Sequence, residues 1–238
     1  NFDLGFKKDV DIRKSVERVK DADIVIFASG ISPSLEGEEM GVNLPGFRKG
    51  DRTDIELPAV QRELIDALHR AGKKIILVNC SGSPIGLEPE TQKCEAILQA
   101  WYPGQQGGKA VAEVLFGDYN PAGKLPVTFY RNVSQLPDFE DYNMTGRTYR
   151  YMQDVPLFPF GYGLSYTTFG YGKTVLDKNE LTAGQSLKLT VPVTNTGKRN
   201  GEEVVQVYLR KQGDAEGPIK TLRAFKRVSI PAGKTVNV

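Results

Sequence analysis

Cysteine is scarce in this 238-residue chain: Cys80 and Cys94 are the only two. Two thiols do not make a disulfide framework, and these two lack the spacing of a redox or zinc pair, so they can be bridged or free. Cys80 closes the apolar run "KIILVNC" and Cys94 precedes "AILQAW", which puts each at a strand end. Histidine is scarcer still. His69 stands alone, late in the helical stretch "LPAVQRELIDALHRAGK", where a cation suits a helix C-terminus; a histidine-based nucleophile system is disfavoured. Charge of one sign is also missing. The 31 basic and 29 acidic residues are interspersed with a net charge of +2, which provides no field for a polyanion, and nucleic acid is disfavoured as a partner. No apolar run approaches the roughly 18 residues needed to span a bilayer. The opening "NFDLGFKKDV" lacks the apolar stretch of a signal peptide. A soluble chain without a membrane partner is expected, from which an upstream signal can have been removed.

What is present is ordinary globular material: 39% hydrophobic and 25% charged residues, with glycine and proline spread along the chain. The length suits one large domain and one small one. Through the first two thirds, helical and strand patterns alternate. "VDIRKSVERVKDA" spaces Ile12, Val16 and Val19 at helical intervals before the buried strand pattern "DIVIFASG". "LPAVQRELIDALHRAGK" opens on Pro58, carries Val60, Leu64, Ile65 and Leu68 on one face and stops at Gly72. "KKIILVNC" and "AILQAWY" are further strands, and "GGKAVAEVLFG" another helix. This alternation predicts an α/β fold, a mostly parallel sheet covered by helices on both faces, over residues 1–164.

Beyond "PLFPFGYGLSYTTF" the pattern changes to period two. "SLKLTVPVTN", "EEVVQVYLRK" and "LRAFKRVSI" are separated by the turn clusters "NTGKRNG" and "SIPAGK", which predicts an all-β antiparallel sandwich over residues 165–238. The closing "KTVNV" looks like a strand cut short, so an incomplete second domain is expected, and the start looks equally abrupt.

Between the first strand and the second helix, "GISPSLEGEEMGVNLPGFRKGDRTDIELPAVQ" gathers Glu36, Glu38, Glu39 and Asp51. In an open parallel sheet, ligands lie beyond the carboxyl ends of the strands, where this segment begins. Its length from Ser29 to about Leu57 exceeds an ordinary connection. Crowding the three glutamates raises the proton affinity of one of them, an effect that Lys49 and Arg52 counter. In an extended segment Glu36 and Glu38 share a face and Glu39 points away. A glycosidic bond needs a proton donor and a second carboxylate across the scissile bond, and neighbours on one strand hardly flank a sugar from both sides. An acidic loop is most often simply solvated, and a hard-cation site is a further option, although the calcium-loop spacing is absent.

Taken in order, "GISPSLEGEEM", "GDRTDIELPAVQ", "ILVNCSG", "ILQAWYPGQQGGKAVAEVLFGDYNPAGKLPVTF", "FPFGYGLSYTTF" and "NTGKRNGEEVVQVYL" resemble the C-terminal portion of glycoside hydrolase family 3, over essentially the whole chain. Within the family the resemblance is to bacterial β-xylosidases and β-glucosidases of plant cell-wall and xylan breakdown. It implies a three-part enzyme, periplasmic or secreted, made of a barrel, an α/β sandwich and a fibronectin type III-like domain. This chain resembles the last two, at 1–164 and 165–238. It implies an oligosaccharide substrate, an N-terminal barrel as intramolecular partner, and no metal or organic cofactor. The family's nucleophilic aspartate belongs to the barrel, and no part of this sequence matches that motif. The acid/base is the second of two glutamates one residue apart before "DR" and an "LP..Q" helix start, which designates Glu38; Glu36 and Glu39 are alternatives, because "GVNLPGFRKG" lengthens the spacing to "DR". Retention of stereochemistry follows from the family mechanism. A noncatalytic carbohydrate-binding or scaffold module is the competing class.

Other residues carry weaker signals. Trp101, Tyr102 and Gln105 in "WYPGQQGG" suit sugar stacking or domain contact, but Pro103, Gly104, Gly107 and Gly108 favour a turn and helix start. Asp51 and Arg52 are expected to brace the acid loop. Ser81 and Ser83 are not in a nucleophile-elbow pattern. Asn132 and Asn143 begin glycosylation tripeptides of a length that arises by chance.

Overall fold

The computed structural model describes residues 10–238. The absence of an apolar leader stretch concerns an opening segment that lies outside the described residues up to Asp9. The chain forms two compact units. One takes the chain through Lys109 together with Val127–Thr148 and Met152–Pro159; the other takes Ala110–Pro126, Tyr149–Tyr151 and Phe160–Val238.

The first unit is built on a parallel sheet. Helix α1 (Ile12–Glu17) is shorter than its apolar spacing predicts and is capped by Asp11, whose carboxylate accepts from the Lys14 amide at 3.0 Å. It leads into β1 (Ile24–Gly30), whose chain continues through three two-residue strands, β2 (Asn43–Leu44), β3 (Phe47–Arg48) and β4 (Asp51–Arg52). Helix α2 (Ala59–Arg70), β5 (Lys74–Cys80), the single turn α3 (Glu88–Thr91) and β6 (Ala96–Gln99) follow, and α4 (Gly107–Phe116) starts here but belongs from Ala110 onward to the second unit. β5 is central, flanked in parallel by β1 and β6, with Phe27 opposite Leu77 and Leu77 opposite Ile97. The alternation of strand and helix patterns thus yields the expected parallel arrangement, because a parallel neighbour requires a crossover long enough to hold a helix.

The core of this unit is one cluster. Ile75, Leu77 and Ile65 are fully buried with Leu68, Leu87, Ile85 and Phe27, and Ile12, Val16 and Val19 of the α1 region pack against them. Leu64, Ile65 and Leu68 turn the apolar stripe of α2 onto the sheet, while His69 and Arg70 occupy its exposed last turn. On the other face of β1, Ile24 and Ile26 are half exposed. Arg62 of α2 bonds Glu90 of α3 at 2.9 Å and also pairs with Glu56; Glu90 is completely buried.

The second unit is antiparallel. β7 (Phe169–Tyr171), β10 (Pro192–Asn195) and β13 (Thr235–Asn237) form one sheet with β10 central, and β11 (Gly201–Leu209) pairs along its length with β12 (Thr221–Ile230). β8 (Val175–Leu176) and β9 (Leu189–Thr190) make a small ribbon. Val193 and Ile230 are fully buried with Val205 and Val191, the inward set of the period-two pattern. Asn195, also fully buried, joins the sheets: its amide nitrogen donates to the carbonyls of Arg199 and Ile230 at 2.8 and 2.9 Å, and its oxygen accepts from the Thr167 hydroxyl at 2.7 Å. Cys80 and Cys94 are both free thiols. Among the described residues no helix is long and apolar enough to cross a membrane.

Candidate functional site

The carboxyl ends of β1, β5 and β6 open into three loops, and one carboxylate joins them. Glu36 follows β1; its Oε1 accepts from the Ser83 hydroxyl, in the loop after β5, and its Oε2 accepts from the Tyr102 hydroxyl, after β6, at 2.9 Å. Arg52 Nη1 lies 3.7 Å from the same Oε1, and both side chains are largely buried, at 13% and 15% exposure. Arg52 is held in place by the Phe47 ring 5.1 Å beneath its guanidinium and by donating to the Glu56 carbonyl at 3.1 Å. Burial pushes the Arg52 guanidinium below its ordinary value, against the opposing pull of Glu36 and Asp54. Burial, then donation to the Glu36 carboxylate and its charge, pushes the Tyr102 phenol up to about 12.

Under this junction runs a buried polar chain. The Asn79 amide on β5 donates to Gln99 on β6 at 2.6 Å and to Ser81 at 3.3 Å, and the Ser81 hydroxyl donates to the Ser83 carbonyl at 2.7 Å. Asn79 and Ser81 are fully buried. On the β1 side, Gln61 of α2 bonds both backbone groups of Gly30, accepting at 3.0 Å and donating at 2.8 Å, which fixes the point where the acid loop departs.

The three glutamates separate. The segment from Pro33 to Glu39 is a series of turns instead of an extended strand, so Glu36 and Glu38 do not share a face. Glu36 turns inward. Glu38 is exposed and makes no ion pair or hydrogen bond among the described residues. Glu39 is exposed with a φ of 51° and stands 3.6 Å from Lys49. Beyond them the connection is not structureless: Met40 donates to the Lys49 carbonyl at 2.8 Å, and β2, β3 and β4 pair as a meander. Gly50 permits this with a φ of 87°, since a Cβ there would stand 1.7 Å from the Gly37 carbonyl oxygen.

Arg52 takes the bracing role expected of the "DR" pair, whereas Asp51 is exposed on β4 without an ion pair among the described residues. Gln105 is exposed, and Trp101 sets its ring edge-on to Phe129 at 6.0 Å. Ser83, which the sequence sets aside as no elbow nucleophile, and Tyr102, whose string reads as a turn and helix start, are the site residues that pattern reading misses. The available signal was a hydroxyl side chain three residues past the end of each of two strands, in "LVNCSGS" and "ILQAWY". Among the described residues no three His, Cys, Asp or Glu side chains gather as a metal site.

A parallel α/β unit with one inward carboxylate, Glu36, held beyond its strand ends, continuing into an antiparallel β unit, defines a two-part α/β and all-β protein with an acidic loop site. The chain belongs to glycosyl hydrolase family 3: the model of the family's C-terminal domain matches residues 5–166, and that of a fibronectin type III-like domain matches residues 203–238. It is 58% identical to a xylan 1,4-beta-xylosidase of Xylanibacter ruminicola over 98% of this chain and 27% of that protein. It is 39% identical to a periplasmic beta-glucosidase of Salmonella typhimurium over 95% of this chain and 30% of that one. A solved β-glucosidase from Erythrobacter marinus superposes with a TM-score of 0.82 at 41% identity, covering 95% of this chain and 30% of that one. A Listeria innocua beta-glucosidase in complex with glucose does so with a TM-score of 0.80 at 29% identity, covering 98% and 33%. The chain thus spans about a third or less of the length of these relatives.

Proposed function

We propose that this chain carries the general acid/base of a retaining, exo-acting β-glycosidase that releases terminal xylose or glucose from plant cell-wall oligosaccharides. The observation that carries the reading is the division of labour in the acid loop: Glu36 is anchored on Ser83, Tyr102 and Arg52, and Glu38, one residue beyond Gly37, stands exposed and unengaged among the described residues at the carboxyl end of the sheet. A proton donor must present a free oxygen to the leaving group; Glu36 has both oxygens occupied as acceptors, and among the described residues Glu38 has neither.

In the first step an aspartate of a barrel domain attacks the anomeric carbon as the bond to the leaving oxygen breaks, and Glu38 gives its proton to that oxygen. In the second step Glu38 takes a proton from water as the water attacks the anomeric carbon and the aspartate leaves, so the configuration is retained. Residues 1–164 form the α/β sandwich domain and 165–238 the fibronectin type III-like domain. The likeness to a periplasmic beta-glucosidase supports action in the periplasm or outside the cell. The chain alone does not turn over substrate, because it offers an acid without the opposing nucleophile.

The test is made in the longer protein with the barrel. Glu38→Gln lowers kcat/KM roughly 10²–10⁴-fold on xylobiose, whose leaving group needs a proton, and far less on 4-nitrophenyl β-xyloside. Equal losses on the two substrates sink the assignment of Glu38, and no loss on either favours a noncatalytic module.

A further inference from the structure

We infer that Glu36 is the positioning residue of this site, clamped by Tyr102 and Ser83, and that it acts on hydrolysis only by holding Glu38 in place. The inference rests on the reading of Glu38 as the acid. Three loops leaving three adjacent strands converge on one carboxylate: Ser83 on Oε1, Tyr102 on Oε2 and Arg52 within 3.7 Å. Only Gly37 separates Glu36 from Glu38, so a displacement of the first is passed to the second.

The surroundings are shaped around this junction. Trp101 has a φ of 57°, a backbone conformation rare for a bulky residue, and it lets consecutive rings diverge, Trp101 to Phe129 and Tyr102 to Glu36. Gly82 provides the space: a Cβ there would stand 2.7 Å from the Tyr102 ring and 3.3 Å from the Glu36 carboxylate. Ser83, the second clamp, is itself held through its carbonyl by Ser81 on the buried Asn79–Gln99 chain. A carboxylate serving only solubility needs none of this, since charged loop residues are ordinarily solvated.

The experiment compares Glu36→Gln, the milder Tyr102→Phe, and each combined with Glu38→Gln. In the longer protein, Tyr102→Phe lowers kcat/KM on xylobiose roughly tenfold and changes it less than about twofold on 4-nitrophenyl β-xyloside. Added to Glu38→Gln, neither clamp variant costs anything further on xylobiose, because the group they position is gone. Equal losses on both substrates, or full additivity with Glu38→Gln, overturn the inference. If the longer protein hydrolyses neither substrate, the glycosidase reading fails, and the positioning role is read separately in this chain by hydrogen exchange. Tyr102→Phe and Glu36→Gln then speed exchange of the Met40 and Gly50 amides roughly tenfold and leave those of β5 unchanged. Unaltered exchange at Met40 and Gly50 overturns it on that arm.

Discussion

The Tyr102 hydroxyl donates to Glu36 Oε2 at 2.9 Å across 66 positions of sequence, linking the loop after β6 to the loop after β1. The bond lasts only while the phenol keeps its proton. Because burial and Glu36 push that phenol from its ordinary 10 up to about 12, its contribution is whole below pH 10 and disappears as the pH climbs through about 12. Tyr102 is 40% exposed, so solvent screening limits the effect to about 1 kcal/mol. Urea unfolding followed by Trp101, the single tryptophan, is expected to show the Tyr102→Phe variant about that much less stable at pH 8 and level with the parent near pH 12. A gap that persists to pH 12 excludes this bond as its source.

Arg62 holds Glu90 where no water reaches it. Arg62→Met leaves the Glu90 carboxylate buried and unpaired, and the expected cost is about 3–5 kcal/mol. Adding Glu90→Gln removes the stranded charge and returns much of that stability. The two midpoints in urea decide it: a double variant no better than Arg62→Met means that the loss came from packing.

Cys94 is expected to be slow toward alkylation. Burial, reinforced by the Glu90 charge, pushes its thiol up to about 11 from an ordinary 9.0, so at pH 8 its thiolate fraction is about 100-fold below that of an unperturbed cysteine. Iodoacetamide labelling read by peptide mass spectrometry should give a Cys94 rate lower by about that factor than a thiol in a short peptide. Equal rates would mean that the thiol meets solvent freely.

Asn195 tests the antiparallel unit. In Asn195→Asp, the amide that donates to the carbonyls of Arg199 and Ile230 is replaced by an oxygen facing two oxygens, at a cost of about 2–4 kcal/mol. Hydrogen exchange along β11 and β12 should accelerate throughout the ribbon. Acceleration limited to the turn after Asn195 would show that the amide shapes only that turn.

Hydrophobic period determined much of this protein without any tertiary information. The runs "DIVIFASG" and "KIILVNC" became neighbouring parallel strands, and the period-two stretches "EEVVQVYLRK" and "LRAFKRVSI" became a paired ribbon. Such patterns are local, because side-chain burial repeats along one element. The short meander of β2, β3 and β4 left no comparable trace, since two-residue strands are too brief to show a period and depend on left-handed turns such as that at Gly50. The position of the acidic loop beyond a strand end was legible for the same local reason. Which glutamate turned inward was not. Glu36, Glu38 and Glu39 are chemically alike in sequence, and they differ because Ser83, Tyr102 and Arg52 arrive from three separate segments to claim only the first. Hydrogen-bond geometry between distant segments exists only once the sheet has brought them together, so the structure alone could divide the anchor from the exposed carboxylate.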